Sequence, residues 1–180
     1  MPDMPSLESI LPPQLFSELD AHFERTAAHF SKITEVPIQG VVLGGGYGRG
    51  EGGVYYPESG EPQLYNDLDY FIFTNEPENP VLLAAVQSWE QAESRLLGID
   101  VEGKCLPLSE VAQASHSMMF FDLVSGHHVI SGPEDLLAEF ESLLDPSRLD
   151  PLETTRLLWN RGSGLYFAHC DLVQEQRLDV

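Results

Sequence analysis

Two aspartates separated by one residue, Asp67 and Asp69, begin an apolar segment with the sequence DLDYFIF. Alternate side chains of a β-strand leave the same face, so we expect the two carboxylates to lie side by side. Carboxylates held that close repel one another, and a bound cation relieves the repulsion. Their hard oxygens suit Mg²⁺ or Mn²⁺, which also bind phosphate oxygens. Taken alone, the pair fits a solvated acidic strand start or two turn caps better than a metal site.

A third acid strengthens the metal interpretation. Asp100 lies between two apolar residues at the start of the next predicted strand. If that strand lies beside the first, three carboxylates meet, and such a set holds two metal ions about 4 Å apart for in-line phosphoryl displacement. Glu102 points to the same side and is a rival for this role. We prefer Asp100 because it is nearer the strand start, where Asp67 and Asp69 lie.

A glycine-rich run, GGGYGRGEGG, occupies residues 44–53 and follows a short apolar segment. Each glycine costs up to ~1 kcal/mol against alanine in a helix, so the run is not expected to form an ordinary helix. Glycines let a backbone approach a polyphosphate closely and aim N–H groups at its oxygens. Arg49 is the nearest fixed cation for a phosphate, or else it pairs with Glu51 and braces the loop. The predicted nucleotide-binding residues are Gly45, Gly46, Tyr47 and Arg49.

Commoner glycine motifs do not fit this run. The letters of the dinucleotide fingerprint occur at Gly48, Gly50 and Gly53, but that fingerprint must open a helix after a strand. Here it precedes VYYPESGEP, which reads as turn and strand. A P-loop requires a lysine directly after its last glycine, and none is present. The protein-kinase motifs are absent from the sequence as well.

The hydrophobic pattern predicts alternating helices and strands. The predicted helices are 13–31, 80–97, 133–144 and 151–173, and the predicted strands are 38–43, 54–56, 63–65, 67–73, 99–106 and part of 124–130. In the helix 80–97 the expected buried stripe comprises Leu82, Val86, Trp89 and Leu96, with Asn79 as N-cap and Gly98 at the end. His22 and His29 are expected at the surface or its boundary. The order predicts an α/β (α+β) fold with a small mixed sheet flanked by helices, in a domain 1–150 with a helical segment 151–180 packed on it.

Composition limits the classes of function. The 180 residues are 42% apolar, which suffices for a core, and 29 acidic against 9 basic residues give a net charge of −20. Such a surface repels phosphate backbones, so extended contact with nucleic acid is not expected, whereas cations are attracted. Simple solubility explains the charge better than a cationic ligand does. No apolar run approaches the ~20 residues of a membrane helix, and neither a signal peptide nor a disulfide framework is apparent, so a cytoplasmic protein is expected.

The segments LGGGYGRGE, NDLDYFIF and IDV together resemble the nucleotidyltransferase superfamily of DNA polymerase beta. The glycine segment is similar to that of uridylyltransferases acting on nitrogen-regulatory proteins. The resemblance covers roughly residues 41–104. It departs from the family pattern in the 20 residues between Gly46 and Asp67, a longer interval than usual, which we attribute to the hairpin 54–65.

The resemblance implies a role for each predicted site residue. It implies that Gly45 and Gly46 hold the triphosphate and that Asp67 and Asp69 bind both metal ions. Asp100 is implied to bind the catalytic metal and help activate an acceptor hydroxyl. The predicted function is therefore Mg²⁺- or Mn²⁺-dependent transfer of a nucleoside monophosphate from an NTP to an unidentified small-molecule or protein acceptor. The alternative is an inactive nucleotide-binding or antitoxin-like module of the same fold.

Overall fold

The structure, a computed structural model, describes residues 7–58 and 60–174. The helices are α1 (Leu7–Ile10), α2 (Pro13–Phe30), α3 (Gly45–Gly48), α4 (Pro80–Leu97), α5 (Met118–Ser125) and α6 (Pro151–Gln174). The strands are β1 (Ile38–Leu43), β2 (Val54–Tyr55), β3 (Gln63–Leu64), β4 (Leu68–Thr74), β5 (Val101–Leu106) and β6 (His128–Ser131). Short 3₁₀ helices occupy Leu108–Ser115, Ala138–Leu143 and Pro146–Arg148.

A four-stranded mixed sheet with the order β5-β4-β1-β6 forms the centre of the fold. β4 runs antiparallel to β1 and parallel to β5, and β6 runs antiparallel to β1. β2 and β3 form a separate two-stranded antiparallel hairpin. The predicted small mixed sheet flanked by helices is confirmed, as is the parallel pairing that a strand–helix–strand crossover requires.

Helices cover both faces of this sheet, which explains why the central strands are apolar on both sides. On one face, α2 and α4 pack against β4 residues such as Tyr70 and Ile72. On the other face, α5 and the 3₁₀ segments pack against Phe71 and Phe73. Alternation along β4 therefore places Asp69 on the α5 face and its neighbour Tyr70 on the α2–α4 face.

α4 begins and ends at the predicted residues. The Asn79 side chain accepts a hydrogen bond from the Val81 N–H at 3.0 Å, and Gly98 terminates the helix in the left-handed conformation at φ 71°. Leu82, Val86 and Trp89 are buried as predicted, together with Glu93. The prediction for Leu96 is wrong, because this side chain is 67% exposed.

Three local predictions are corrected by the structure. The start of the glycine run forms the one-turn helix α3, since a single turn costs far less than an extended glycine helix. The predicted helix 133–144 is reduced to the 3₁₀ segment Ala138–Leu143. Residues 124–125 belong to α5, a helix that the sequence pattern did not predict, and the strand begins only at His128.

α6 contacts the rest of the chain at its start, where Glu153 accepts a hydrogen bond from the Met118 N–H at 3.0 Å. Its side chains are exposed along nearly the whole helix, including those of Leu158, Trp159 and Tyr166. Of the two predicted segments, 1–150 and 151–180, residues 1–6 of the first and 175–180 of the second lie outside the described residues. In the part of the chain that the structure describes, no helix is long and apolar enough to cross a membrane.

Candidate functional site

The glycine turn lies directly against the carboxylate of Asp69. After β1 ends at Leu43, the Gly44 N–H donates a hydrogen bond to the Asp69 carbonyl oxygen at 2.8 Å. Gly45 adopts φ +61°, a conformation that side chains disfavour, and a Cβ there would lie 2.3 Å from Asp69 Oδ2. Only glycine fits this position without a shift of the acid. The glycine at position 45 therefore allows the turn to lie in close contact with the Asp69 carboxylate.

The first turn of α3 supplies free backbone donors beside that carboxylate. N–H groups in the first turn of a helix have no acceptor within the helix, which leaves those of Gly45 and Gly46 for a ligand. A Cβ at Gly46 would meet its nearest atoms, those of Gly52, at 3.9 Å. Gly46 is thus not required by packing within the protein, in contrast to Gly45.

Four carboxylates are distributed along the starts of β4 and β5. Asp67 precedes β4 and shares the Asp69 face, and the parallel register pairs Asp69 with Glu102. Asp100 directly precedes β5, and its carbonyl oxygen accepts a hydrogen bond from the Leu68 N–H at 2.9 Å. Asp69, Asp100 and Glu102 line a cavity of about 630 Å³. The predicted meeting of the two strand starts is therefore found.

Glu102, the rival of Asp100 for the role of third acid, lies opposite Asp69 across the two strands. It is the register partner of Asp69, and its charge acts on the Asp69 carboxyl. Extending the register by one residue pairs Asp100 with Asp67 instead. Our preference for Asp100 rested on nearness to the strand start, whereas pairing across the strands depends on register.

The electrostatic environment of Asp69 disfavours its charged form. Burial raises the pKa of its carboxyl above the ordinary value, and the negative charges of Asp67 and Glu102 raise it further. The positive charge of Arg49 acts in the opposite direction without reversing the shift. A carboxylate that is partly buried among like charges and opens onto a cavity is suited to a cation.

The donor set fits a hard divalent cation in its chemistry, since carboxylate oxygens are the ligands that Mg²⁺ and Mn²⁺ prefer. Within residues 7–58 and 60–174, however, no three His, Cys, Asp or Glu side chains are grouped closely enough to hold a metal ion. Asp67, Asp100 and Glu102 are all exposed, so their side chains have room to turn. Metal binding therefore requires rotation of exposed carboxylates toward Asp69.

Arg49 is held by two acids rather than left free for a phosphate. Its guanidinium donates to Glu51 at 3.0 Å and to Asp122 at 3.3 Å. Burial raises the pKa of Asp122, and the Arg49 charge partly offsets this. The bracing role that the sequence left open is thus found, while Arg49 stays close enough to act on Asp69.

Asp122 is a part of this region that sequence reasoning missed. It lies on α5, and it is the only charged residue within the helix sequence MMFFDLVS. A lone acid in an otherwise apolar helix is a signal for a specific partner. The signal was lost because α5 itself was not predicted.

The Tyr47 side chain has a structural role beside the predicted nucleotide site. The ring is 1% exposed and packs against Gly52. Its hydroxyl donates to the Gly53 carbonyl at 2.6 Å and accepts from the Tyr65 N–H at 3.1 Å. Tyr47 therefore ties the glycine turn to the β2–β3 hairpin, and only its backbone N–H remains for a ligand.

A buried polar network supports β4 from the opposite face. His22 is fully buried, which corrects its expected surface position; its Nδ1 lies 2.8 Å from Glu93 Oε2 and its Nε2 lies 2.7 Å from the Tyr70 hydroxyl. Arg25 donates three hydrogen bonds to Glu93 at 2.8–3.2 Å. Burial lowers the pKa of His22, so the neutral ring donates to Glu93 and accepts from Tyr70.

Comparison with known proteins gives fold-level likeness only. No protein-family model matches the chain, and no curated protein matches it. A toxin–antitoxin structure with AMP-PNP is 14% identical, with 79% of this chain and 98% of that chain covered and a TM-score of 0.38. The MntA-HepT toxin–antitoxin structure and the tri-AMPylated HEPN toxin of Shewanella oneidensis with its MNT antitoxin are each 11% identical. Both cover 83% of this chain and 98% of theirs, with a TM-score of 0.40. Likeness at this level assigns no function.

Proposed function

We propose that this protein transfers a nucleoside monophosphate from an NTP to an acceptor hydroxyl in a divalent-metal-dependent reaction. The observation that carries the proposal is the contact between the glycine turn and the Asp69 carboxylate. This contact brings backbone donors for a polyphosphate and oxygen ligands for a cation to the same place. The acceptor belongs to a small molecule or a protein, because a net charge of −20 disfavours extended nucleic acid.

Each site residue has a role in the proposal. Asp67 and Asp69 would hold Mg²⁺ or Mn²⁺, and the N–H groups of Gly45 and Gly46 would bind phosphate oxygens. The third acid is proposed to be Glu102, which the register supports, with Asp100 as the alternative. Arg49 fixes the turn through Glu51 and Asp122 and adds positive charge beside Asp69.

The reaction consists of one displacement at phosphorus. The acceptor oxygen forms a bond to the α-phosphorus, and the bond from that phosphorus to the pyrophosphate oxygen breaks. The acceptor proton passes to the third carboxylate, and pyrophosphate leaves with the electron pair of the broken bond. Positioning of the two oxygens in line supplies most of the expected acceleration.

Metal dependence follows from the charge of the site. Asp67, Asp69, Asp100 and Glu102 would repel a triphosphate if no cation lay between them. A bound divalent ion supplies neutralisation of the phosphate oxygens and of the developing charge. The raised pKa of Asp69 indicates that the protein alone leaves this charge uncompensated.

The alternative is a nucleotide-binding module without turnover. It is favoured by the exposed, separate positions of the acids in the described residues, where no three are grouped for a metal. In that case the glycine turn binds the nucleotide and a partner protein responds to it. The alternative predicts binding of an NTP with no labelled product.

The test is incubation of the 180-residue protein with each α-labelled NTP, Mg²⁺ and cell extract, followed by detection of labelled acceptor and pyrophosphate. We expect Asp69→Asn to abolish product and Glu102→Gln to reduce it more than Asp100→Asn does. Glu24→Gln, which changes an exposed acid on α2, is the matched control and should keep full activity. Metal-dependent turnover by Asp69→Asn equal to wild type would refute the proposal.

A further inference from the structure

The exposed apolar surface of α6 is the largest feature that the proposed function does not use. Eight large apolar side chains of this helix are between 43% and 74% exposed: Leu152, Leu157, Leu158, Trp159, Leu165, Tyr166, Phe167 and Val173. Single exposed apolar residues are common, but a continuous set on one helix marks an interaction surface. The helix needs a partner to cover it.

The spacing of these residues indicates that the partner is another helix. Leu152, Trp159, Tyr166 and Val173 recur every seven residues, which is the repeat of helices that pack along a common seam. Such a heptad repeat keeps one apolar line facing its neighbour along the whole length. At 24 residues, α6 is about 36 Å long and presents this line over several turns.

A hollow on the helix allows a second helix to approach closely. Trp159, Gly162, Ser163 and Tyr166 occupy relative positions 0, 3, 4 and 7, the four positions that form a hole for a packing knob. Gly162 and Ser163 form its floor, and a Cβ at Gly162 would meet nothing within 4 Å. The hollow belongs to a groove of about 470 Å³. Small residues between two aromatic rims suit the backbone of a neighbouring helix that has small residues at the same place.

We propose that α6 pairs antiparallel with α6 of a second copy of this chain, about a two-fold axis between Gly162 and Ser163. This axis sets Trp159 of one copy beside Tyr166 of the other, and Leu152 beside Val173. Gly162 and Ser163 of the two copies then face one another at the axis, so the helices approach closely there and the aromatic pairs pack on either side. A surface that is complementary to itself in this way forms an isologous interface.

The charge distribution favours a second copy in the antiparallel orientation. Within α6 the acids Glu153 and Asp171 balance Arg156 and Arg161, so this helix is neutral on a chain with net charge −20. In an antiparallel pair the two acidic domains adjoin opposite ends, about 36 Å apart, well beyond the screening length of about 8 Å at physiological salt. A parallel pair would bring them together. A standard interface needs roughly 800 Å² per partner, and the large exposed side chains of α6 supply an area of that order.

The first test is the mass of the 180-residue chain in solution, measured by sedimentation and light scattering. We expect wild type to be a dimer and Trp159→Glu to be a monomer with an unchanged circular-dichroism spectrum below 250 nm, roughly the far-ultraviolet region that reports secondary structure. Leu96→Glu, at an equally exposed apolar position on α4, is the control and should stay dimeric. A monomeric wild type, or a dimer that persists in Trp159→Glu, would overturn the proposal.

The second test measures orientation by the distance between spin labels. A label at Thr154→Cys, with Cys105 and Cys170 replaced by serine, lies near the start of α6. The antiparallel pair predicts a backbone separation of about 25 Å along the helix axes between the two labelled positions. A separation of about 10 Å, the spacing of adjacent helices, would show parallel pairing and contradict the proposal.

Discussion

Asp69 and Tyr70 are neighbours on β4 but lie on opposite faces of the sheet, and the polar groups around them are arranged differently. On the Tyr70 face, His22, Glu93 and Arg25 satisfy one another through short hydrogen bonds. On the Asp69 face, the nearest charges are mostly of the same sign, and the carboxyl pKa is raised. The first face holds the strand in place, while the second keeps a charge that the protein does not compensate. Proteins tolerate such unfavourable local arrangements where a ligand is to bind.

The largest expected effect on stability comes from the Tyr70 face of β4, where the polar side chains are hydrogen-bonded to one another. His22→Ala removes the partner of the Tyr70 hydroxyl and one partner of Glu93, so it should lower the free energy of unfolding by about 3 kcal/mol. Denaturant unfolding followed by circular dichroism measures this change. His29→Ala is the matched control on the same helix: His29 is only partly buried and contacts the Ala85 carbonyl at 3.2 Å, so its loss should stay within about 1 kcal/mol. Equal losses in the two variants would show that the network does not hold the sheet.

Substitutions at Gly45 and Gly46 should distinguish effects on packing from effects on ligand binding. Gly45→Ala introduces a side chain at φ +61° and against Asp69 Oδ2, so we expect a loss of about 2 kcal/mol in thermal unfolding. Gly46→Ala has space in the free protein and should leave the melting temperature nearly unchanged. If phosphate approaches Gly46, this variant should nevertheless bind an NTP analogue more weakly. Unchanged affinity for the NTP analogue in Gly46→Ala would show that the phosphate does not approach this residue.

Asp69→Asn should stabilise the protein while removing its activity. Because burial and the charges of Asp67 and Glu102 raise its pKa, the ionised Asp69 carboxylate opposes folding at neutral pH. The variant should gain on the order of 1 kcal/mol in the free energy of unfolding. As the pH falls through the raised pKa, the Asp69 carboxyl of wild type becomes protonated. The difference in the free energy of unfolding between wild type and variant should then disappear. A variant that is less stable than wild type at neutral pH would contradict this view of the acidic face.

Local signals account for the parts of the fold that the sequence predicted. Asn79 and Gly98 specify the two ends of α4 through their own conformations, and the apolar β1 and β4 segments are buried on both faces. The family resemblance predicted that the glycine turn and Asp69 form one site, and the pairing of β1 with β4 brings both to one edge of the sheet.

Features that depend on distant partners were not predictable from local pattern. Glu93 is buried only because Arg25 and His22, some seventy residues away, pair with it. Glu102 rather than Asp100 faces Asp69 because of a register that only the folded sheet defines. The exposure of α6 likewise depends on what it contacts, and its amphipathic pattern alone suggested packing on the domain.

Calorimetric titration of a non-hydrolysable NTP analogue into wild type and Asp69→Asn, each with and without Mg²⁺, tests most directly whether the acids and the glycine turn form one site. We predict binding to wild type that requires Mg²⁺ and is lost in Asp69→Asn, because Asp69 would help to hold a cation that neutralises the phosphate charge. Equal affinity in both proteins, or binding that is indifferent to Mg²⁺, would contradict this account.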